Sequence, residues 1–482
     1  VGASPDQPQQ NKAELPGANP GDQQTPAFDP MILFQHYKHA KVDLTTPVEL
    51  HGGNAATVKS CPASPDYDKY IDVAARFIYD PKALGNIADL EHKYDCDIHT
   101  TDDIFKYASQ ALTVTGDAYD YVMPPAEARD FEKAQTGGYA GIGLSIVPAA
   151  AVLGPMAAAR GPGATVIQAV TPGKSAQKAG LEVGDALLEI DGLDVHALGP
   201  KDTSDLITNG RPGSKVDIVV DRKGQRVEKL VTREEIESAP VVHDKDLGDG
   251  IAYIKIDTFN NNKEAAQLAA AMDKYKNARA FVIDVRDNRG GLVDQALASA
   301  ALFVKDGTLM TTRERHDSPP TKPVYDEKTY VLGKNTMITT ATRSDTGEKV
   351  PKIENRQPYK AGERPVVVLT NGYSASASEI FSGALHDTAH DTVIGTTSLG
   401  KGIGQVLVKN MPDDGYLKVT NLRYLTPAGN WPGPGTGDKT HPEYGLKPDK
   451  EIADPAESDK GTAADGQLNY SVDFLKHKLQ GK

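Results

Sequence analysis

Hydrophobic positions recur along this chain with two different periods. Ahead of residue 137 the spacing is helical. Tyr70, Val73, Ala74, Phe77 and Ile78 fall three and four apart, as do Ile104, Tyr107, Ala108, Ala111 and Leu112. Such stripes are the buried faces of amphipathic helices. After residue 138 the period shortens. Residues 141–144, 164–170 and 250–258 read as strands, and 280–285 and 365–370 are short apolar runs of the kind found in buried strands. Residues 265–275 return to helical spacing, as do Glu379, Ile380, Phe381, Ala384 and Leu385. Residues 403–426 alternate around Pro412-Asp-Asp-Gly415, a hairpin signal. The stretch 308–363 is polar and irregular and reads as a long surface loop. Near the end, Tyr470, Val472, Phe474 and Leu475 predict a docking helix. The first thirty residues, rich in Gln, Pro, Asn, Gly and Asp, have little to bury and read as a disordered tether.

These rhythms divide the chain into a disordered segment (1–30), a helical region (31–137), a strand-rich module (138–235), an α/β region (240–453) and a tail (454–482). A length of 482 residues accommodates about three domains. The net charge of −13 argues against a nucleic-acid binder and supplies no basic patch for a membrane surface. No run of eighteen apolar residues is present to span a bilayer. Val1 stands where an initiator Met would and no charged-then-apolar leader follows, which reads either as a periplasmic or otherwise exported chain relieved of its signal peptide or as a trimmed chain. Two cysteines, Cys61 and Cys96, permit one disulfide or two buried thiols, and both readings stay open.

The candidate chemistry gathers at residues 371–401. A buried strand ends at Asn371-Gly372, three serines follow at 374, 376 and 378, and a helix begins. Strand, tight turn and helix N-terminus can set a hydroxyl beside free N–H groups that favour developing negative charge. Ser376-Ala-Ser-Glu379 also reads as an ordinary capping box. Lys401 changes the weighting. It follows a second strand at 391–395, and if the two strands are neighbours Ser376 and Lys401 meet at one end of a sheet. A lysine serves as the serine's base once burial or nearby positive charge leaves it neutral. Two rivals are weaker. Residues 395–401 match the start of a phosphate loop, but Gly402 stands where Ser or Thr is needed. The other is a Ser-His-Asp triad using His386, Asp387 or His390, but His386 lies ten residues along the same helix from Ser376, about 15 Å away at helical rise.

Ser-Ala-Ser-Ala-Ser-Glu (374–379), Gly-Lys-Gly (400–402) and Gln405 together resemble the carboxyl-terminal processing peptidases, or tail-specific proteases. The resemblance runs from about residue 66 to 449. It implies an α+β multidomain fold: a helical N-terminal region, a PDZ domain, and an α/β protease core of crotonase/ClpP-like ββα units. It further implies a serine endopeptidase with Ser376 as nucleophile, Lys401 as general base and Gln405 orienting the lysine. Chemistry alone does not choose among Ser374, Ser376 and Ser378. Gly290 or Gly291, in Arg286-Asp-Asn-Arg-Gly-Gly291, together with Ala377 would form the oxyanion hole. The family usually has Asn and Pro where this chain has Asp287 and Arg289.

Residues 138–234 resemble a PDZ domain, in which Gly141, Ile142, Gly143 and Leu144 would hold a peptide's terminal carboxylate. An Ala/Gly/Pro-rich insertion at 148–163 lengthens the loop after its first strand. In relatives an arginine of this module couples ligand binding to the active site. Here that position holds Asn209, with Arg211 nearest. The implied partners are proteins with exposed C-termini, and a homodimer through the N-terminal helices. No cofactor or metal is needed, and His and Cys spacing offers no zinc pattern. A catalytically inactive, peptide-holding scaffold is the alternative.

Overall fold

The computed structural model describes residues 61–481 apart from 137, 150–163, 197, 238 and 438–439. The expected disordered segment 1–30 and most of the 148–163 insertion lie outside the described residues.

The α/β region is built on a six-stranded sheet in the order Val242–Asp246, Ile251–Ile256, Ala280–Asp284, Val366–Thr370, Thr392–Gly395, Lys450–Glu451. All neighbours after the first, antiparallel pair run parallel. Both central strands are buried along their whole length, as parallel strands covered on two faces must be, which is why their sequences are unbroken apolar runs. Helices Glu264–Lys274, Val293–Ala300 and Ala377–Ala389 cover one face, with Phe259, Phe281, Phe303 and Phe381 at its centre. The C-terminal helix Gly466–Gln480 covers the other through Leu468 and Leu475. The strands at 366–370 and 392–395 are direct parallel neighbours, Val367 opposite Thr392. Both loops of chemical interest therefore leave the carboxyl ends of adjacent strands, where open α/β sheets bind ligands.

A seven-stranded antiparallel sheet adjoins this layer. Its long strand Tyr416–Leu425 pairs with Tyr121–Met123, Gly307–Arg315 and Ile403–Val408. The stretch whose polarity reads as a surface loop, although the family resemblance implies strand pairs there, forms strands Gly307–Arg315, Tyr325–Leu332, Thr336–Arg343 and Lys349–Asn355. Their threonines and charged residues hid them. A sheet with one face toward water has no need of apolar runs, and Thr suits a half-exposed pleat. The helices Pro65–Phe77 and Thr101–Leu112 lay their stripes on this sheet, against Val406, Val408, Leu417 and Val419. Cys61 and Cys96 are joined as a disulfide.

The strand-rich module forms its own sheet, Leu144–Pro148, Thr165–Val170, Ala186–Ile190, Lys215–Arg222, Gln225–Thr232, around a separate core of Ile142, Ile167, Leu187, Ile218 and Val220.

Candidate active site

Strand Val366–Thr370 ends at Asn371, and the chain turns through Ser374 and Ser376 into helix Ala377–Ala389. Ser376 adopts φ 55°, ψ −114°. That is a conformation side-chain-bearing residues rarely hold, and such outliers concentrate at functional positions. The three serines are not equivalent. The hydroxyls of Ser374 and Ser378 donate to the carbonyls of Val285 and Asn288, each at 2.7 Å. These bonds lash the serine turn to the loop that follows strand Ala280–Asp284.

Glu379 is fully buried and does more than cap a helix. Its Oε2 accepts the backbone N–H of Ser376 at 2.7 Å and that of Lys401 at 2.8 Å. Its Oε1 accepts the Gly400 N–H at 2.8 Å and the Ser398 hydroxyl. Burial pushes this carboxyl above the ordinary range while the four donors pull it back. Tyr424 adds a second tie: its hydroxyl lies 2.7 Å from the Lys401 carbonyl and 3.1 Å from that of Ser376.

The Lys401 side chain is 0 % exposed. Its Nζ donates to Gln405 Oε1 at 3.2 Å and lies 3.9 Å from the centre of the Tyr119 ring. The Gln405 amide is fixed from behind, its Nε2 donating to Thr420 Oγ1 at 2.9 Å. Burial, and then the charge of Lys418, hold the Lys401 amine well below its usual pKa, against the smaller pull of Asp117 and Glu379.

In the glycine loop, the Gly290 N–H donates to Asn288 Oδ1 at 2.9 Å. Among the described residues neither the Gly291 nor the Ala377 N–H donates a hydrogen bond. Gly291 has φ +144°, and a Cβ there would stand 2.1 Å from the Asn260 nitrogen, so no side chain fits. Asp287, φ 63°, is locked by a reciprocal pair: its N–H donates to Asn371 Oδ1 at 3.0 Å and Asn371 Nδ2 donates to its Oδ1 at 2.8 Å. The Arg289 guanidinium lies over the Tyr373 ring, 5.0 Å from its centre. Behind the loop, buried Arg286 bridges Asp284 at 2.6 Å and Asp465 of the C-terminal segment at 2.7 Å.

His386 takes no part in this cluster. It pairs with Asp387 at 2.7 Å and Asp449 at 3.3 Å.

In the strand-rich module, Gly141, Ile142, Gly143 and Leu144 line a cavity of about 390 Å³, faced by Lys201, Ser204 and Ile207 of helix Pro200–Thr208. Gly143 sits at φ +77°, and a Cβ there would meet that of Lys174 at 2.3 Å. Arg211 is exposed and Asn209 closes the helix at its C-cap.

Sequence reasoning missed Tyr119, Lys418, Thr420 and Tyr424. Three of these lie on strand Tyr416–Leu425 with period two, and a lysine within a strand otherwise buried from residue 417 to 422 was the available signal.

Comparison with known proteins agrees with this architecture. Residues 250–452 match Peptidase family S41, and residues 166–222 match the PDZ domain. A carboxyl-terminal-processing protease of Picosynechococcus is 27% identical over 339 residues, covering 68% of this chain and 70% of that protein. A chloroplastic C-terminal processing peptidase of Tetradesmus obliquus is 30% identical over 336 residues, 66% and 63% of the two chains. The carboxy-terminal processing protease CtpA of Bacillus subtilis is 26% identical over 317 residues, 65% of this chain and 58% of its own. The chain thus spans between about three-fifths and 70% of the length of these relatives.

Proposed function

The chain belongs to peptidase family S41 and carries a PDZ domain, and from that premise we propose a serine endopeptidase that takes hold of protein C-termini and cleaves with a Ser376–Lys401 dyad. The observation that carries the reading is the buried, hydrogen-bonded amine of Lys401, whose main chain is tied to that of Ser376 by one carboxylate. A neutral amine keeps a lone pair for a proton.

The chemistry then follows. Ser376 Oγ attacks the scissile carbonyl carbon as its proton passes to Lys401 Nζ. The carbonyl oxygen becomes an oxyanion that the Gly291 and Ala377 N–H groups are free to meet, the Gly290 N–H being engaged by Asn288. Each such donor is worth roughly 2.7–4 kcal/mol of barrier. The C–N bond breaks as Lys401 returns the proton to the leaving amine. Water, deprotonated by Lys401, then releases the acyl group from Ser376. Gln405 holds the amine against rotation and is itself held by Thr420. Ser376 is favoured over its neighbours because the hydroxyls of Ser374 and Ser378 are committed to main-chain carbonyls.

The loop 141–144 would receive the substrate's terminal carboxylate, with an apolar tail laid in the adjoining groove. The Cys61–Cys96 disulfide supports an exported protein, since such bonds persist in oxidising compartments. No helix among the described residues is long and apolar enough to cross a membrane. We include self-association through the helices ahead of residue 135, which sedimentation of the purified protein tests.

The dyad is tested with an unfolded substrate ending in apolar residues. Cleavage by the parent and none by Ser376→Ala or Lys401→Ala is expected. Binding without cleavage by all three would leave only the peptide-holding scaffold.

A further inference from the structure

Lys401 is not the only amine in its pocket. Lys418, on strand Tyr416–Leu425, is also 0 % exposed. Its Nζ lies 4.7 Å from the centre of the Tyr121 ring and 5.6 Å from that of Tyr119, the ring that Lys401 Nζ approaches to 3.9 Å. Sharing one ring places the two amines within roughly 10 Å of each other, about one Debye length at 0.1 M salt, and through protein rather than water. Two protonated amines so placed repel, and burial disfavours each charge further.

Their surroundings differ. Lys418 is faced by Asp120, then Asp117 and Glu127, with Tyr121 directly opposite in register. Lys401 is faced by Lys418, Asp117 and Glu379, with Tyr119 above it. Asp117 acts on both, whereas Asp120 and Glu127 act on Lys418. Asp120 is held in place, its Oδ1 accepting the Thr420 N–H at 2.6 Å and its Oδ2 the Thr115 hydroxyl at 2.9 Å. Asp120 is thereby linked through Thr420 to Gln405, and so to Lys401.

We propose that Lys401 and Lys418 share a single proton across the Tyr119 ring, that Asp120 and Glu127 keep it on Lys418, and that Lys418 is thus the positioning residue that leaves Lys401 a free base. Burial lowers Lys418 to about 7, and burial together with the charge of Lys418 holds Lys401 well below its usual range. The two steps belong to the pair. The inference rests on the dyad reading and deepens it.

The test is the pH profile of kcat/KM for Lys418→Met and Lys418→Arg beside Lys401→Ala. Without the repelling charge, Lys401 holds its proton more tightly. The acid limb of Lys418→Met should therefore move up by about one unit, with an approximately tenfold loss of kcat/KM on that limb and little change in KM. Lys418→Arg keeps a permanent charge and should restore the parent limb. A Lys418→Met limb that coincides with the parent's, while Lys401→Ala is inactive, overturns the pairing and leaves the dyad standing. An active Lys401→Ala sinks the dyad itself. If Lys418→Met does not fold, ¹³Cε-lysine NMR titration of the parent decides. Two depressed amines, with Lys418 the later to lose its proton, support the pair, and Lys418 titrating first or like a solvent-exposed lysine refutes it.

Discussion

One carboxylate oxygen of Glu379 accepts the main-chain N–H of both Ser376 and Lys401, at 2.7 and 2.8 Å. Two loops from neighbouring strands, twenty-five residues apart in sequence, are thereby referenced to a single atom. A capping box satisfies one helix terminus. This one also sets where a second loop lies, and the Tyr424 hydroxyl ties the same two residues by their carbonyls.

Replacing Glu379 with Gln puts an amide nitrogen where one oxygen now accepts two donors. Whichever way the amide turns, donors face donors in a buried site. Hydrogen bonds to a charged group are each worth about 1.5–3 kcal/mol, and a displacement of about 1 Å at the reacting atoms costs about 100-fold in rate. Glu379→Gln should lose about 3 kcal/mol of stability and about 100-fold in kcat, read by denaturant unfolding and peptide cleavage. A variant with unaltered stability and a small loss of kcat would show that the carboxylate does not hold the two loops.

Thr420→Val removes the acceptor of the Gln405 amide without changing side-chain shape. Gln405 is then free to turn its nitrogen toward Lys401, where its N–H would occupy the lone pair the amine needs as a base. We expect kcat to fall about tenfold with KM nearly unchanged, as for loss of an orienting contact. Thr420→Ser, which keeps the hydroxyl, should recover most of the rate. Failure of the serine variant to do so would assign the loss to packing.

How much of this could be read beforehand depended on whether the signal was local. The strand–turn–helix at 366–389 was legible because a valine run, an Asn-Gly break and a helical stripe each announce themselves. The adjacency of 366–370 and 392–395 stood in the sequence only as a condition, and the pairing of Val367 with Thr392 meets it. The choice among three serines was not legible, since it turns on carbonyls ninety residues upstream that occupy Ser374 and Ser378. The supporting face of strand Tyr416–Leu425 was equally hidden. Lys418, Thr420 and Tyr424 look like an ordinary mixed strand until Tyr119, Gln405 and the Ser376 turn are brought over it. The strands at 307–355 escaped for the opposite reason: polar residues on a wet sheet imitate a loop.

The glycine loop that follows strand Ala280–Asp284 is braced by the C-terminal segment. Arg286, fully buried, bridges Asp284 and Asp465 and donates to Gln467 Oε1 at 2.9 Å, while Lys460 pairs with Asp287. Removing one member strands a buried charge, at about 3–5 kcal/mol. Asp465→Ala should therefore destabilise by that amount and slow the acyl step even in the folded fraction. Asp465→Asn should cost less. Burst kinetics with an activated ester separates acylation from unfolding, and a normal burst in Asp465→Ala would disconnect the tail from the site.

Hydrogen bonding to Asp387, aided by the charge of Asp449, raises His386 to about 9 in spite of partial burial. Its unfolded value is near 6.5. A raised folded pKa means that the stabilisation is complete below about pH 6.5 and is lost as pH climbs through 9. With 39 % of the side chain exposed, solvent screening cuts the effect to about 1 kcal/mol. Chemical denaturation of the parent should lose about that much between pH 6 and 10, and His386→Gln should lack this component. Because His386 stands apart from Ser376 and Lys401, the same variant should leave the acid limb of the cleavage rate where it was. A limb that moved with His386 would instead make histidine the base, and the lysine dyad would fall.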